Sequence, residues 1–358
     1  MTDSMAKDQD PQAADFTVTE TVCVESGEAR SMDMAVGGQA LIEGVMMRSP
    51  SYLAMAVRTP DGRIVIRKKT FGSVVRKFKF LNVPVLRGGI HLIETMGLGI
   101  DALMFSADQA ISEDRVEGKK SSFWETAMMW GTVAFSFVLS MGLFFYLPII
   151  LTDLVVPAGE GSLVWNLVDG VIRVLMFVLY LWAVSKFPDM ARVFEYHGAE
   201  HKSIHAFENG RPLTAAGARD FTTLHPRCGT SFLFFVMLIS IVVFSFLGRP
   251  EDIPDRLQRL AFIPLIGGLA YEAIKLSGKF SKAWILKPVI FPGLMMQKIT
   301  TSNPDDDQLT VAMAALKATL TPEADDFKER VYYDMPEDDL DDDDLQPAMD
   351  PSGEGAPA

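Results

Sequence analysis

Three histidines on successive helical turns mark where this chain could do chemistry. They lie in the run Glu195-Tyr196-His197-Gly198-Ala199-Glu200-His201-Lys202-Ser203-Ile204-His205-Ala206-Phe207-Glu208, and the whole chain has only five histidines. Each helical residue turns by about 100°. His197, His201 and His205 then fall within an arc of roughly 80°, with Glu208 inside it and Glu200 to one side. Phe194 and Ile204 share that face, which implies that it turns inward, because a solvent stripe does not mix imidazole with Phe and Ile. Neutral imidazoles on such a face can share one cation. His197-x-x-Glu200-His201 also fits the H-x-x-E-H pattern, in which two histidines hold zinc and the glutamate activates water.

Further ligands must come from elsewhere. His225 and Cys228 stand in His225-Pro226-Arg227-Cys228-Gly229-Thr230-Ser231. Nitrogen and thiolate donors together suit zinc among the divalent metals. Glu272 is a carboxylate within an apolar segment and a further candidate ligand. Arg227 could instead hold a phosphate or lipid headgroup. Glu43 and Arg48 are polar groups in the apolar run Gly37–Arg48, whose glycines match no nucleotide-binding pattern. Each of these has a plainer reading. The histidines could bond backbone or lipid phosphates, and Cys228 could be a small buried residue at a helix start. Asp169 and Arg173, four apart, could pair to lower the cost of burial, or serve transport.

The elements that must position these residues read as a mainly α membrane protein. About four segments are long and apolar enough to span a bilayer: 126–151, 164–184, 231–247 and 260–276. Residues 36–83 form a small β-rich unit, with Pro60-Asp61-Gly62 as a hairpin turn. The stretch 84–120 is helical, but Arg87, His91, Glu94 and Asp101 make it interfacial rather than spanning. The histidines occupy a loop at 185–230. An interfacial segment and a helix fill 285–320, with Asn303 as cap and Pro304 in the first turn. Residues 1–35 and the acidic tail 321–358 lack the apolar content to order themselves.

Loop charges set the expected orientation. Residues 152–163 contain no Lys or Arg, whereas 185–230 contain Lys186, Arg192, Lys202, Arg211, Arg219 and Arg227. Both termini and the histidine loop are then cytoplasmic, in the inner membrane of a cell. The formal net charge of −13 comes largely from the acidic tail, so it gives no support for a nucleic-acid partner. The two cysteines, Cys23 and Cys228, make a poor disulfide framework.

Four blocks, GGQALIEGVMMRSP, EYHGAEHKSIHAFE, HPRCGTSF and PGLMMQKITTSNPDDDQLTVAMAAL, resemble the DUF1385 family of bacterial membrane proteins, the YqhQ-like proteins. The resemblance runs from about Val36 to about Leu320. It implies a multi-pass membrane protein described as a metal-dependent enzyme, and it carries over no catalytic residue. The expectation is therefore a membrane-embedded metal-dependent hydrolase at the cytoplasmic surface. His197 and His201 would be ligands, His205, His225, Cys228 or Glu272 would complete the set, and Glu200 would be the general base. Its substrate would be a membrane protein segment or a lipid. The rivals are a non-enzymatic membrane factor that binds a cytoplasmic partner, and a transporter or metal sensor.

Overall fold

The computed structural model describes residues 36–110, 123–157, 159–279, 287–322 and 329–335. The expected flexible lead-in, Cys23 within it, and the acidic run 338–344 lie outside these residues. Five antiparallel strands form one sheet in sequential order. They are β1 (Gly37–Leu41), β2 (Gly44–Arg48), β3 (Tyr52–Arg58), β4 (Ile64–Thr70) and β5 (Glu329–Met335). Gly62, at φ +89°, makes the turn from β3 to β4.

The sheet reads as two faces because side chains alternate along each strand. Val45, Met47, Ala56, Ile64 and Ile66 point to one face, where they pack with Tyr196, Ala199, Leu309 and Ala312. Met46, Leu53, Met55, Val57 and Val65 point to the other, against Ala102 and Phe105. Helices therefore cover both faces. β5 was not expected: its residues fall in the stretch assigned to a structureless tail. Its place is set by main-chain pairing with the edge of β4, Ile66 opposite Tyr332, which the acid-rich composition around it obscures.

Twelve α-helices follow in order among the described residues: α1 (Val74–Lys77), α2 (Leu86–Ala110), α3 (Phe123–Met141), α4 (Leu147–Val155), α5 (Ser162–Val184), α6 (Pro188–Glu208), α7 (Ala215–Ala218), α8 (Gly229–Leu247), α9 (Ile253–Ala261), α10 (Ile263–Lys279), α11 (Lys287–Thr300) and α12 (Asp306–Leu320). Five helical stretches are long and apolar enough to cross a membrane: Leu86–Ala110, Trp130–Val155, Ser162–Val184, Gly229–Leu247 and Ile253–Ser277. This is one more than expected. The addition is α2, whose polar residues have partners. Arg87 donates to Glu272 at 2.6 and 2.5 Å, His91 meets Glu94 at 3.1 Å, and Asp101 accepts from Lys69 at 2.8 Å.

Local signals explain two further differences. The loop expected at 249–259 contains α9, because the Asp252 side chain caps it by accepting from the Asp255 N–H and Pro254 sits in its first turn. α12 starts later than expected. Asp305, not Asn303, is its cap, in a reciprocal box with Gln308.

The bundle buries charge as well as apolar surface. Asp169 and Arg173 do pair, at 2.8 and 3.1 Å. Arg173 also donates to the Phe144 carbonyl at 2.9 Å, inside the π-helical turn Gly142–Tyr146 that interrupts the helix between α3 and α4. A third member of this group, Arg259, went unrecognised in the sequence. It is 1% exposed, donates to Asn166 and to the Gly248 carbonyl at 2.7 Å, and lies over the rings of Trp165 and Phe244.

α6 is seated by a close backbone approach. A Cβ at Gly198 would overlap the Ser302 carbonyl, and the Ser302 N–H donates to the Phe194 carbonyl at 2.9 Å. This contact brings the histidine helix against the end of α11. Gly198→Ala should therefore lower stability by roughly 1–3 kcal/mol, as overpacked cores do. The check is a lower thermal midpoint of the detergent-solubilised protein relative to Gly97→Ala, a position where an added Cβ meets nothing.

Candidate metal centre

The histidine face of α6 does turn inward. His201 and Glu200 are buried, and His197 and His205 are half-buried. Opposite them stand the loop Thr223–Arg227, the first turn of α8 and the last turn of α11. Gln297 clamps that loop. Its Oε1 accepts from the His225 N–H at 2.8 Å, and its Nε2 donates to the His225 carbonyl at 2.8 Å and to Ser231 Oγ at 3.0 Å. Cys228 is the N-cap of α8, its sulfur accepting from the Thr230 N–H.

Two of the histidines are oriented alike. His197 Nδ1 lies 2.7 Å from the Thr300 carbonyl oxygen, and His201 Nδ1 bonds the Thr223 carbonyl. A carbonyl only accepts, so Nδ1 carries the proton in both rings and Nε2 keeps its lone pair. Those Nε2 atoms face the sulfur of Cys228, His197 Nε2 at 3.2 Å. All three donor atoms lie within 4.8 Å of one another. His201 Nε2 is buried and has no hydrogen-bond partner. A lone pair without a partner in a buried site is costly, and a cation would satisfy it. Two imidazole nitrogens and one thiolate fit zinc, and three protein ligands leave a fourth position open.

A second group, His205, Glu208 and His225, also comes within 4.8 Å, and hydrogen bonds or ion pairs engage each of its members. His225 Nδ1 accepts from the Arg227 N–H at 3.3 Å. Its Nε2 is therefore the protonated nitrogen, 3.5 Å from Glu208. Arg227 pairs with the same carboxylate. His205 Nε2 donates to the Leu224 carbonyl at 2.9 Å. The group is a chain of hydrogen bonds that buttresses the loop. Glu272, bound to Arg87, joins neither group.

Glu200 stands between the sheet and the histidines. A Cβ at Gly38 of β1 would come within 2.9 Å of Glu200 Cγ, so the glycine makes room for this side chain. Burial pushes its carboxyl upward, opposed by His197 and His225 and by the Gly38 N–H. Burial likewise holds His201, His205 and His225 below the ordinary histidine value. Glu43, at φ +53°, braces α6 rather than the centre. It accepts from Arg192 at 2.7 Å and from the Tyr196 hydroxyl at 3.2 Å. Arg48 lies over the Phe71 ring at 4.8 Å, also apart from the donor atoms. Thr223, Thr300 and Gly38 were not foreseen as parts of the site, since backbone carbonyls and amides leave no residue-type signal; Gln297 was not foreseen because the partners of its side chain, His225 and Ser231, lie far from it in sequence.

The sign of the pH dependence follows from the histidines. A histidine whose folded value is depressed binds protons more readily when unfolded, so its stability is present above the unfolded value and lost below it. Metal-free protein should lose thermal stability as pH falls below about 6.5. His205→Asn and His225→Asn should each flatten that slope, as read by unfolding midpoints across pH 5 to 8. A slope that both variants leave unchanged would contradict this electrostatic picture.

The chain can now be placed among known proteins. Residues 83–322 match the family model described as "Protein of unknown function (DUF1385)". The chain is 31% identical over 297 residues to "Uncharacterized protein YqhQ" of Bacillus subtilis (strain 168), covering 81% of this chain and 93% of the relative. No solved structure matches. With its mostly helical fold, its small antiparallel sheet and this match over most of its length, the chain belongs to the DUF1385 family.

Proposed function

We propose that this chain is a membrane-embedded, metal-dependent hydrolase working at the cytoplasmic face of a bacterial membrane. The single observation that carries it is the buried, unpartnered Nε2 of His201, directed with His197 Nε2 toward the sulfur of Cys228. A divalent cation, zinc by its donor set, would be held by those three atoms and would supply the Lewis acidity that activates water and polarises a carbonyl or phosphoryl oxygen. Thr300 and Thr223 would fix the two rings by their carbonyls. Glu200 is the carboxylate placed to accept a proton from the attacking water.

Four of the five apolar stretches would cross the bilayer, and their outer surface supports this. Phe135, Phe137, Leu154, Leu175 and Phe246 all lie more than half exposed, as lipid-facing side chains do. We read α2 as interfacial. Its first turns lie against Gly268 of α10 and its last turns against the sheet, so it links bundle and sheet. The Lys and Arg of the 185–230 loop support a cytoplasmic location for the sheet, the histidines and both termini. Arg173 is bonded to Asp169 and to the Phe144 carbonyl, and Arg259 to the Gly248 carbonyl with Asp169 at 3.8 Å, an arrangement that favours a skeletal role over a transport path.

The experiment is metal analysis of protein purified in detergent. Wild type should hold zinc stoichiometrically, and His197→Ala, His201→Ala and Cys228→Ser should each lose most of it. His225→Asn and Glu272→Gln should keep it. Glu200→Gln should keep the metal and reduce hydrolysis by about 100-fold or more, the scale of a lost general base. Folded wild type that takes up no zinc would end this reading in favour of a non-enzymatic membrane factor.

A further inference from the structure

The sheet has an unpaired edge beside the histidines. β1 has β2 on one side and no described strand on the other. In an antiparallel ladder each residue directs its N–H and C=O to one neighbour, alternating along the strand. The Arg58 N–H donates to the Glu43 carbonyl at 2.7 Å, which turns Glu43, Val45 and Met47 toward β3. Gly44, Met46 and Arg48 therefore turn toward β1, where they face Leu41, Gln39 and Gly37. That leaves Gly38 and Ala40 with their backbone groups directed away from the sheet. The Gly38 N–H, on that outer side, reaches the Glu200 carboxyl.

The edge is also bare. Gly37 and Gly38 are exposed and Ala40 is half-exposed. Gly38 has no room for a side chain, because a Cβ would lie 2.6 Å from the Met46 carbonyl as well as against Glu200. Soluble proteins usually blunt such edges with lysine, proline or a bulge. Gly37-Gly38-Gln39-Ala40 carries none of these.

We propose that the β1 edge docks an extended polypeptide segment, which adds to the sheet as a further strand and lies across Glu200 beside His197. The Ala40 N–H and the carbonyls of Ala40 and Gly38 would hold it in register, as in other strand-addition sites. The docking stands on the sheet geometry alone. Its consequence for the reaction rests on the hydrolase reading: the substrate class is then a polypeptide amide. Water adds across the C–N bond, its hydroxyl going to the carbonyl carbon and its hydrogen to the leaving nitrogen.

Ala40→Pro tests the docking, since it removes an outward N–H and leaves the ladder with β2 intact. The probe is fluorescein-labelled β-casein, an unstructured polypeptide, titrated into the full chain in nanodiscs and followed by anisotropy. Wild type should bind saturably, and Ala40→Pro should bind roughly tenfold or more weakly, with bound zinc and thermal midpoint unchanged. Hydrogen exchange on wild type gives the same answer without a variant: β-casein should slow the Ala40 amide. Equal binding by Ala40→Pro, an Ala40 amide that β-casein leaves unprotected, or no saturable binding by the full chain would overturn the proposal. So would binding that appears only after residues 1–34 are removed, because the edge would then belong to the chain's own N-terminal segment. Saturable binding to a protein that holds no zinc would keep the docking and sink the metal reading instead.

Discussion

An imidazole has two nitrogens, and whichever one is pinned decides what the other can do. In this chain the pins are two backbone carbonyls, those of Thr300 and Thr223. Both belong to segments far from α6 in sequence, and both are delivered by packing. The bare backbone of Gly198 lets α6 settle against Ser302, and Gln297 ties the 223–228 loop to α11. If either carbonyl moved, the ring it holds could rotate or change tautomer, and the lone pair facing Cys228 would be lost. The donor set is thus a property of the tertiary structure, although its residues sit in two short stretches of sequence.

The same logic separates two clusters that look alike on paper. Both contain histidines from α6 and from the loop, and both contain a further ligand-type residue. In one, the Nε2 atoms of His197 and His201 face the sulfur of Cys228. In the other, the Arg227 backbone N–H and the Leu224 carbonyl occupy ring nitrogens, and the Arg227 side chain neutralises Glu208. Residue type made His205, His225 and Glu272 look equal to Cys228 as ligands. Hydrogen bonding gives each of them different partners.

What could be read from the sequence is what depends on period and local chemistry. The Asp-Gly turn between two β-rich runs gives the hairpin of β3 and β4. The four-residue spacing of the histidines gives an inward helix face, and Asp169 with Arg173 gives an ion pair. What could not be read depends on partners distant in the chain. Arg259 lies in a short stretch that also carries Arg249, Arg256, Glu251, Asp252 and Asp255, so its polarity resembles a loop until Asp169 and Trp165 close over it. The helix α2 looks too polar to join an apolar bundle until Glu272 and Lys69 are placed beside its charges. β5 has no signal beyond a few residues, because an edge strand needs only a neighbour's free backbone.

That last strand has a consequence for how the molecule is made. Residues 36–70 emerge early in synthesis, yet the helix α12 that covers one face of their sheet and the strand that closes β4 come from beyond residue 305. Between them lie all the long apolar helices that follow the sheet. The nascent N-terminal unit must wait, half-covered and with an open edge, while those helices find their own surroundings. Ribosomes that stall or terminate before α12 would release a product whose sheet is built but unroofed, the state most prone to pair with its neighbours. The order of the chain thus leaves the sealing of residues 36–70 to residues 306–335.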